Sequence, residues 1–280
     1  MPETSFFLPL FLQSAVLPLA VALAVLAAGR AAGRDAALPA IAAGFLAAYF
    51  AILRAQWSVV PQAALDWLPW VVLAAAAAAA AVEKIPGGFA RFAGRLATAL
   101  VAGAVVVYPG LASFGAAKAV ASVLVIGFAI AALWSLKARP ALGAATRPLL
   151  LAVAAGGAGL ALMLDSSQSI GQLSGALAMT LAACVLFALP RLGRNFTRAA
   201  AGLAVLVFGI LLAMAHLYAG FPPGYVALLA AALLLDPVVA AVRRSPSGGL
   251  PWVPAAVLTA IPVAVTVALA VKAAHDSGGY

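Results

Sequence analysis

The stretch RLGRNFTRAAAGLAVLVFGILLAMAHLYAGFPPGY, residues 191–225, decides the fold. Three arginines (Arg191, Arg194, Arg198) lead into an apolar run over 199–218 that only His216 interrupts, and a Gly-Phe-Pro-Pro-Gly turn follows at 220–224. As an α-helix those twenty residues rise ~30 Å, the thickness of a bilayer's hydrocarbon core. A basic flank at one end and Tyr218 and Tyr225 at the other are what the two headgroup layers select.

Outward from this segment the same unit recurs. Apolar spans are read at 6–28, 36–53, 67–82, 96–111, 119–136, 148–164, 170–189, 199–218, 225–242 and 253–270. The second and fourth are short or broken, the fourth by Pro109-Gly110, so the count is eight to ten, and ten is taken. The expectation is an all-α, polytopic transmembrane helical bundle with short loops, forming one integral membrane domain over 1–280. The first span is longer than a signal-peptide core and lacks a basic leader, so it reads as a retained helix. With 66% hydrophobic and 8% charged residues, the chain lies far from soluble proteins, in which about a quarter of residues are charged.

Charge sets the orientation. Thirteen of the sixteen Lys and Arg residues fall in the first, third, fifth, seventh and ninth gaps between spans; Arg54, Lys118 and Lys272 are the remainder. The positive-inside rule then puts those gaps in the cytoplasm and both termini outside. Trp57, Trp67, Trp70, Tyr108, Tyr218 and Tyr225 gather toward the outer interface. The net charge of +9 is dispersed in pairs and triplets, which argues against nucleic acid and for anionic lipid headgroups at the cytoplasmic face. The segment Gly87 to Arg95 (GGFARFAGR) reads as an interfacial anchor, with Arg91 and Arg95 meeting lipid phosphates. Abundant Ala, and Arg in preference to Lys, point to a bacterial inner-membrane protein.

Residues for chemistry are few. Asp236 lies ~16 Å into the ninth span and precedes Pro237, which frees a backbone carbonyl one turn earlier. An acid there could bind a cation or carry a proton, or snorkel toward Arg243. His216, with Asp165 and Asp66, could form a proton relay at the outer side, or satisfy one local hydrogen bond. Asp165, Gln168, Gln172 and Ser174 form the most polar stretch near the membrane and could coordinate a small solute; a turn plus helix cap is the structural alternative. Gly171 and Gly175 have the GxxxG spacing of close helix packing, and Gly156, Gly157 and Gly159 read the same way.

Cys184 stands alone in an apolar run, so it forms no intramolecular disulfide. No phosphate loop, HExxH, CxxC, GxSxG or CxxCH occurs, and the two histidines, His216 and His275, are not paired. No cofactor or metal is expected. In length and helix count the chain resembles compact ten-helix permeases of the drug/metabolite transporter class, whose termini are both cytoplasmic, the reverse of the charge pattern here. Ten spans permit two five-helix halves of opposite orientation. The leading expectation is a small-solute transporter or permease without ATPase activity. A structural or assembly subunit bound to a membrane protein partner is the alternative, and an intramembrane enzyme acting on a lipid-linked substrate is the third.

Overall fold

The computed structural model describes residues 4–139, 145–188, 196–235 and 253–276. Eight of its helices are long and apolar enough to cross a membrane: α1 (Leu8–Ala31), α3 (Ala64–Val82), α4 (Gly88–Phe114), α5 (Ala116–Lys137), α6 (Thr146–Asp165), α7 (Gln168–Phe187), α8 (Arg198–Ala219) and α10 (Val253–Asp276). Two shorter apolar helices, α2 (Ala37–Leu53) and α9 (Pro223–Leu234), complete the ten. No strand occurs among the described residues. The chain is a multi-pass helical membrane bundle.

Proline and glycine explain where the helices depart from regularity. Pro18 has no N–H to give the Ser14 carbonyl, and α1 widens just before it into a π-turn over Leu12–Val16, the N–H of Leu17 reaching Leu12 O. Pro109-Gly110, expected to break the fourth span, tightens it into one 3₁₀ turn (Tyr108–Gly110) that runs on into Leu111–Phe114. That span also starts earlier than expected. The GGFARFAGR segment is its first two turns, because Arg95 continues the buried face formed by Ala99, Ala102 and Val106. Gly115, at φ +76°, turns the chain into α5.

At the start of α8, the Thr197 hydroxyl accepts from the Ala200 N–H at 3.1 Å, a cap inside the Asn-Phe-Thr sequence. Gly220, at φ +72°, closes the other end, with the Phe221 N–H returning to Ala215 O at 3.0 Å.

Helix α8 is the axis of the bundle. It packs on α2, α3, α4, α5, α6, α7 and α9, and it is the most buried of the long helices. Its small residues admit large partners: Trp134 and Ile130 of α5 sit where a Cβ on Gly202 or Gly209 would stand. Helices α6 and α7 approach closely at Gly159, where an added Cβ would lie 2.9 Å from Gly171 O and 3.0 Å from Gly175 N. The GxxxG spacing is thus a backbone contact.

The gaps sort to two ends. Arg34 and Asp35 meet Phe196 beside Cys184, and Gly88, Arg91, Arg139 and Arg198 meet around one cavity, so the first, third, fifth and seventh gaps share a basic end. At the opposite end the turn Ala64–Trp67 packs on the turn Tyr108–Gly110, and the Tyr218 hydroxyl donates to Val106 O at 2.7 Å.

Candidate functional site

Where the basic gaps converge, α3, α4 and α5 are joined by a buried charge. Arg95 Nε donates to Glu83 Oε1 and a terminal guanidinium nitrogen to Oε2, each at 2.9 Å. Trp134 Nε1 donates to the same Oε1 at 3.0 Å, and the Arg95 guanidinium carbon lies 5.9 Å from the Trp134 ring centroid. Both charged side chains are only 9% exposed. Burial on that scale holds only if both partners are hydrogen-bonded, and here they are. Arg95 is therefore a strut between helices, contrary to its reading as a lipid-phosphate anchor.

The strut forms one wall of a polar cavity of about 310 Å³ lined by Gly88, Arg91, Phe92, Arg95, Ser135, Ala138, Arg139 and Arg198. Arg91 is aimed by two bonds to Ile85 O, from Nε at 3.1 Å and from a terminal nitrogen at 2.9 Å. Arg139 and Arg198 are exposed. None of Arg91, Arg139 and Arg198 has a carboxylate within salt-bridge distance among the described residues. Arg198 is also the first residue of α8, whose N-terminus adds the positive end of a 22-residue helix dipole. Three guanidinium groups, each a rigid fork of donors, and a helix N-terminus, with no compensating acid among the described residues, are complementary in charge to an oxyanion. Among the described residues no group of three or more His, Cys, Asp or Glu side chains could hold a metal ion.

The residues singled out from the sequence lie elsewhere and apart. Asp236, with Pro237 and Arg243, falls outside the described residues. Asp165 ends α6, its Oδ2 accepting from the Ser166 hydroxyl at 2.9 Å. Ser167 caps α7, and Gln168 is exposed on its first turn. Ser174 is fully buried and donates to Ala155 O at 2.8 Å, which ties α7 to α6. Gln172 is 4% exposed and has no hydrogen-bond partner among the described residues. It stands two turns from Thr180 on one stripe of α7, and Thr180 faces Gly44 of α2 where Pro18 of α1 also approaches.

His216 is exposed, its Nδ1 2.8 Å from Phe221 O, and Asp66 accepts the N–H groups of Gln62 and Ala63 at 3.0 and 2.9 Å. His216, Asp165 and Asp66 are each held by a different local neighbour, and no hydrogen bond links them. The structural alternative, one local bond apiece, describes their contacts.

Two features escaped the sequence. One is the convergence of Arg91, Arg139 and Arg198: their loops were legible as basic, but the packing that turns three loops toward one cavity was not. The other is Tyr49, fully buried in α2, whose hydroxyl donates to Leu65 O at 3.0 Å and fixes the 54–66 connection.

Compared with known proteins, the chain matches no family model and no curated sequence.

Proposed function

We propose that the protein is a permease of the bacterial inner membrane that moves a small anionic solute without hydrolysing ATP itself. The observation that carries the reading is the cavity at the basic end, where Arg91, Arg139 and Arg198 face a polar space with no matching acid among the described residues. By the positive-inside rule this end is cytoplasmic, so the cavity is the inner vestibule.

The test is flux. Purified protein in liposomes, challenged with ammonium salts of phosphate, sulfate, acetate and succinate, is expected to admit at least one anion faster than protein-free liposomes. Replacing Arg139 and Arg198 together by Gln is expected to abolish that difference. A panel with no flux above background removes the anion-permease reading.

A second reading, a subunit held in a larger membrane assembly, is favoured by one feature. Between α3 and α4 runs a lateral groove of about 510 Å³ whose floor is Ala74, Ala75, Ala78, Ala97 and Ala102. Its one hydroxyl, on Thr98, is spent on Gly94 O at 2.9 Å. Small, apolar, lipid-facing grooves of this kind suit a partner helix. Silent flux together with co-purification of a stoichiometric membrane protein would decide for this alternative.

A further inference from the structure

At the end opposite the arginine cavity, α5, α8 and α9 leave a lateral groove of about 330 Å³. Its walls are apolar, from Val125 and Ile130 on α5, Leu212 and Ala213 on α8, and Val226 on α9. Lys118 and His216 stand at its mouth. On α8 the groove runs from His216 to Gly209, the midpoint of the helix, a depth of ~10 Å. That is most of one leaflet, whose hydrocarbon is ~15 Å deep.

The charge at the mouth asks for a partner. Lys118 is one of three basic residues outside the gaps that carry the other thirteen, and no carboxylate lies within salt-bridge distance of it among the described residues. Its position is set by aromatic rings. Lys118 Nζ lies 5.2 Å from the Phe114 centroid, and Phe114 lies 5.6 Å from Tyr218, which is bonded to Val106 O. His216 is oriented as well. The Phe221 carbonyl can only accept, so the bond at 2.8 Å requires the proton on Nδ1 and leaves Nε2 for another group. A held ammonium and a held imidazole above an apolar channel of leaflet depth are complementary to one kind of molecule, with a negative head and a hydrocarbon tail.

We infer that this groove is a binding site for one anionic phospholipid, its phosphate at Lys118, a hydroxyl of its headgroup donating to His216 Nε2, and one acyl chain along Leu212 and Ala213 toward Gly209. The site is independent of the arginine cavity and of what the protein transports.

The experiment uses full-length protein in neutral detergent and a phosphatidylglycerol probe with a photoreactive diazirine on one acyl chain, the labelled peptides being mapped by mass spectrometry. Label is expected on 120–133, 209–217 and 223–234. The double variant Lys118→Gln, His216→Gln, both exposed positions, is expected to lower that label about tenfold, the weight of one lost charge-assisted contact. Ala129→Trp, which fills the exposed groove and leaves Lys118 and His216 in place, is expected to lower it too, whereas Arg139→Gln leaves it unchanged. Glycerol phosphate in excess is expected not to compete, which separates a lipid site from a site for free phosphate. Label spread evenly over the lipid-facing helices, equal labelling by a phosphatidylcholine probe, or undiminished label in the double variant overturns the assignment.

Discussion

Arg95 grips Glu83 side-on with Nε and Nη2, one edge of its guanidinium, in two bonds of 2.9 Å made across the α3–α4 connection. Trp134 completes the carboxylate shell at 3.0 Å and seats against Gly202 of the central helix. One ion pair thereby fixes how three helices meet α8 at the rim of the cavity.

Removing one partner strands the other in a site only 9% exposed. Arg95→Leu alone is expected to lower stability by about 3 kcal/mol, and Glu83→Leu by a similar amount. The double variant, with no orphaned charge, should lose less than the sum of the two. Unfolding in mixed detergent–SDS micelles measures all three, and strict additivity would show that the pair is not coupled.

The glycines divide into those that a side chain would displace and those that it would not. Gly159→Ala puts a methyl 2.9 Å from Gly171 O, and overpacking of this kind costs about 1–3 kcal/mol. Gly175→Ala meets nothing within 4 Å and removes backbone freedom from a helix, so it should stabilise by up to about 1 kcal/mol. Opposite signs from two glycines of one interface are the expected outcome in the same assay. Equal losses would mean that α6 and α7 do not cross as described.

These two glycines also show what could be read from the chain before its fold was known. The apolar spans and the alternating basic gaps are local properties of length and charge, and they foretold a multi-span helical bundle and the meeting of the first, third, fifth and seventh gaps at one end. The GxxxG pair of α7 was legible as a packing face, but not that Gly159 is the residue received there, since that depends on how two helices cross. The fourth span began two turns early for a related reason. Arg91 and Arg95 look like loop residues by charge, and only the Glu83 carboxylate and the Ile85 carbonyl, brought close by the turn, make a helix there tolerable. Buried acids and amides stand out singly in a sequence. The arginine cavity is assembled from side chains that are individually ordinary, at positions up to 107 residues apart (Arg91 to Arg198).

Threading through the bilayer can be checked with single cysteines. Cys184 is 3% exposed and should resist maleimide in the folded protein. In a Cys184→Ala background, Gln168→Cys is expected to react in intact cells with a reagent that cannot cross the inner membrane. Gly88→Cys is expected to react only after the membrane is opened. The reverse pattern would turn the protein over and place the arginine cavity outside.

Gln172 offers the sharpest separation of stability from function. Its side chain is 4% exposed, and no hydrogen-bond partner for the amide lies among the described residues. The amide is not among the fully sealed, unpartnered polar atoms, so its penalty is below that of a buried unsatisfied group, and methionine has nearly the same shape without it. Gln172→Met is therefore expected to stabilise the protein by up to about 1 kcal/mol. A residue kept at the expense of stability is one that its site uses, so the same variant should slow the anion flux proposed above. Gain of stability with unchanged flux would remove Gln172 from the solute path. Loss of stability would show that the amide is satisfied in the membrane and that its role is packing.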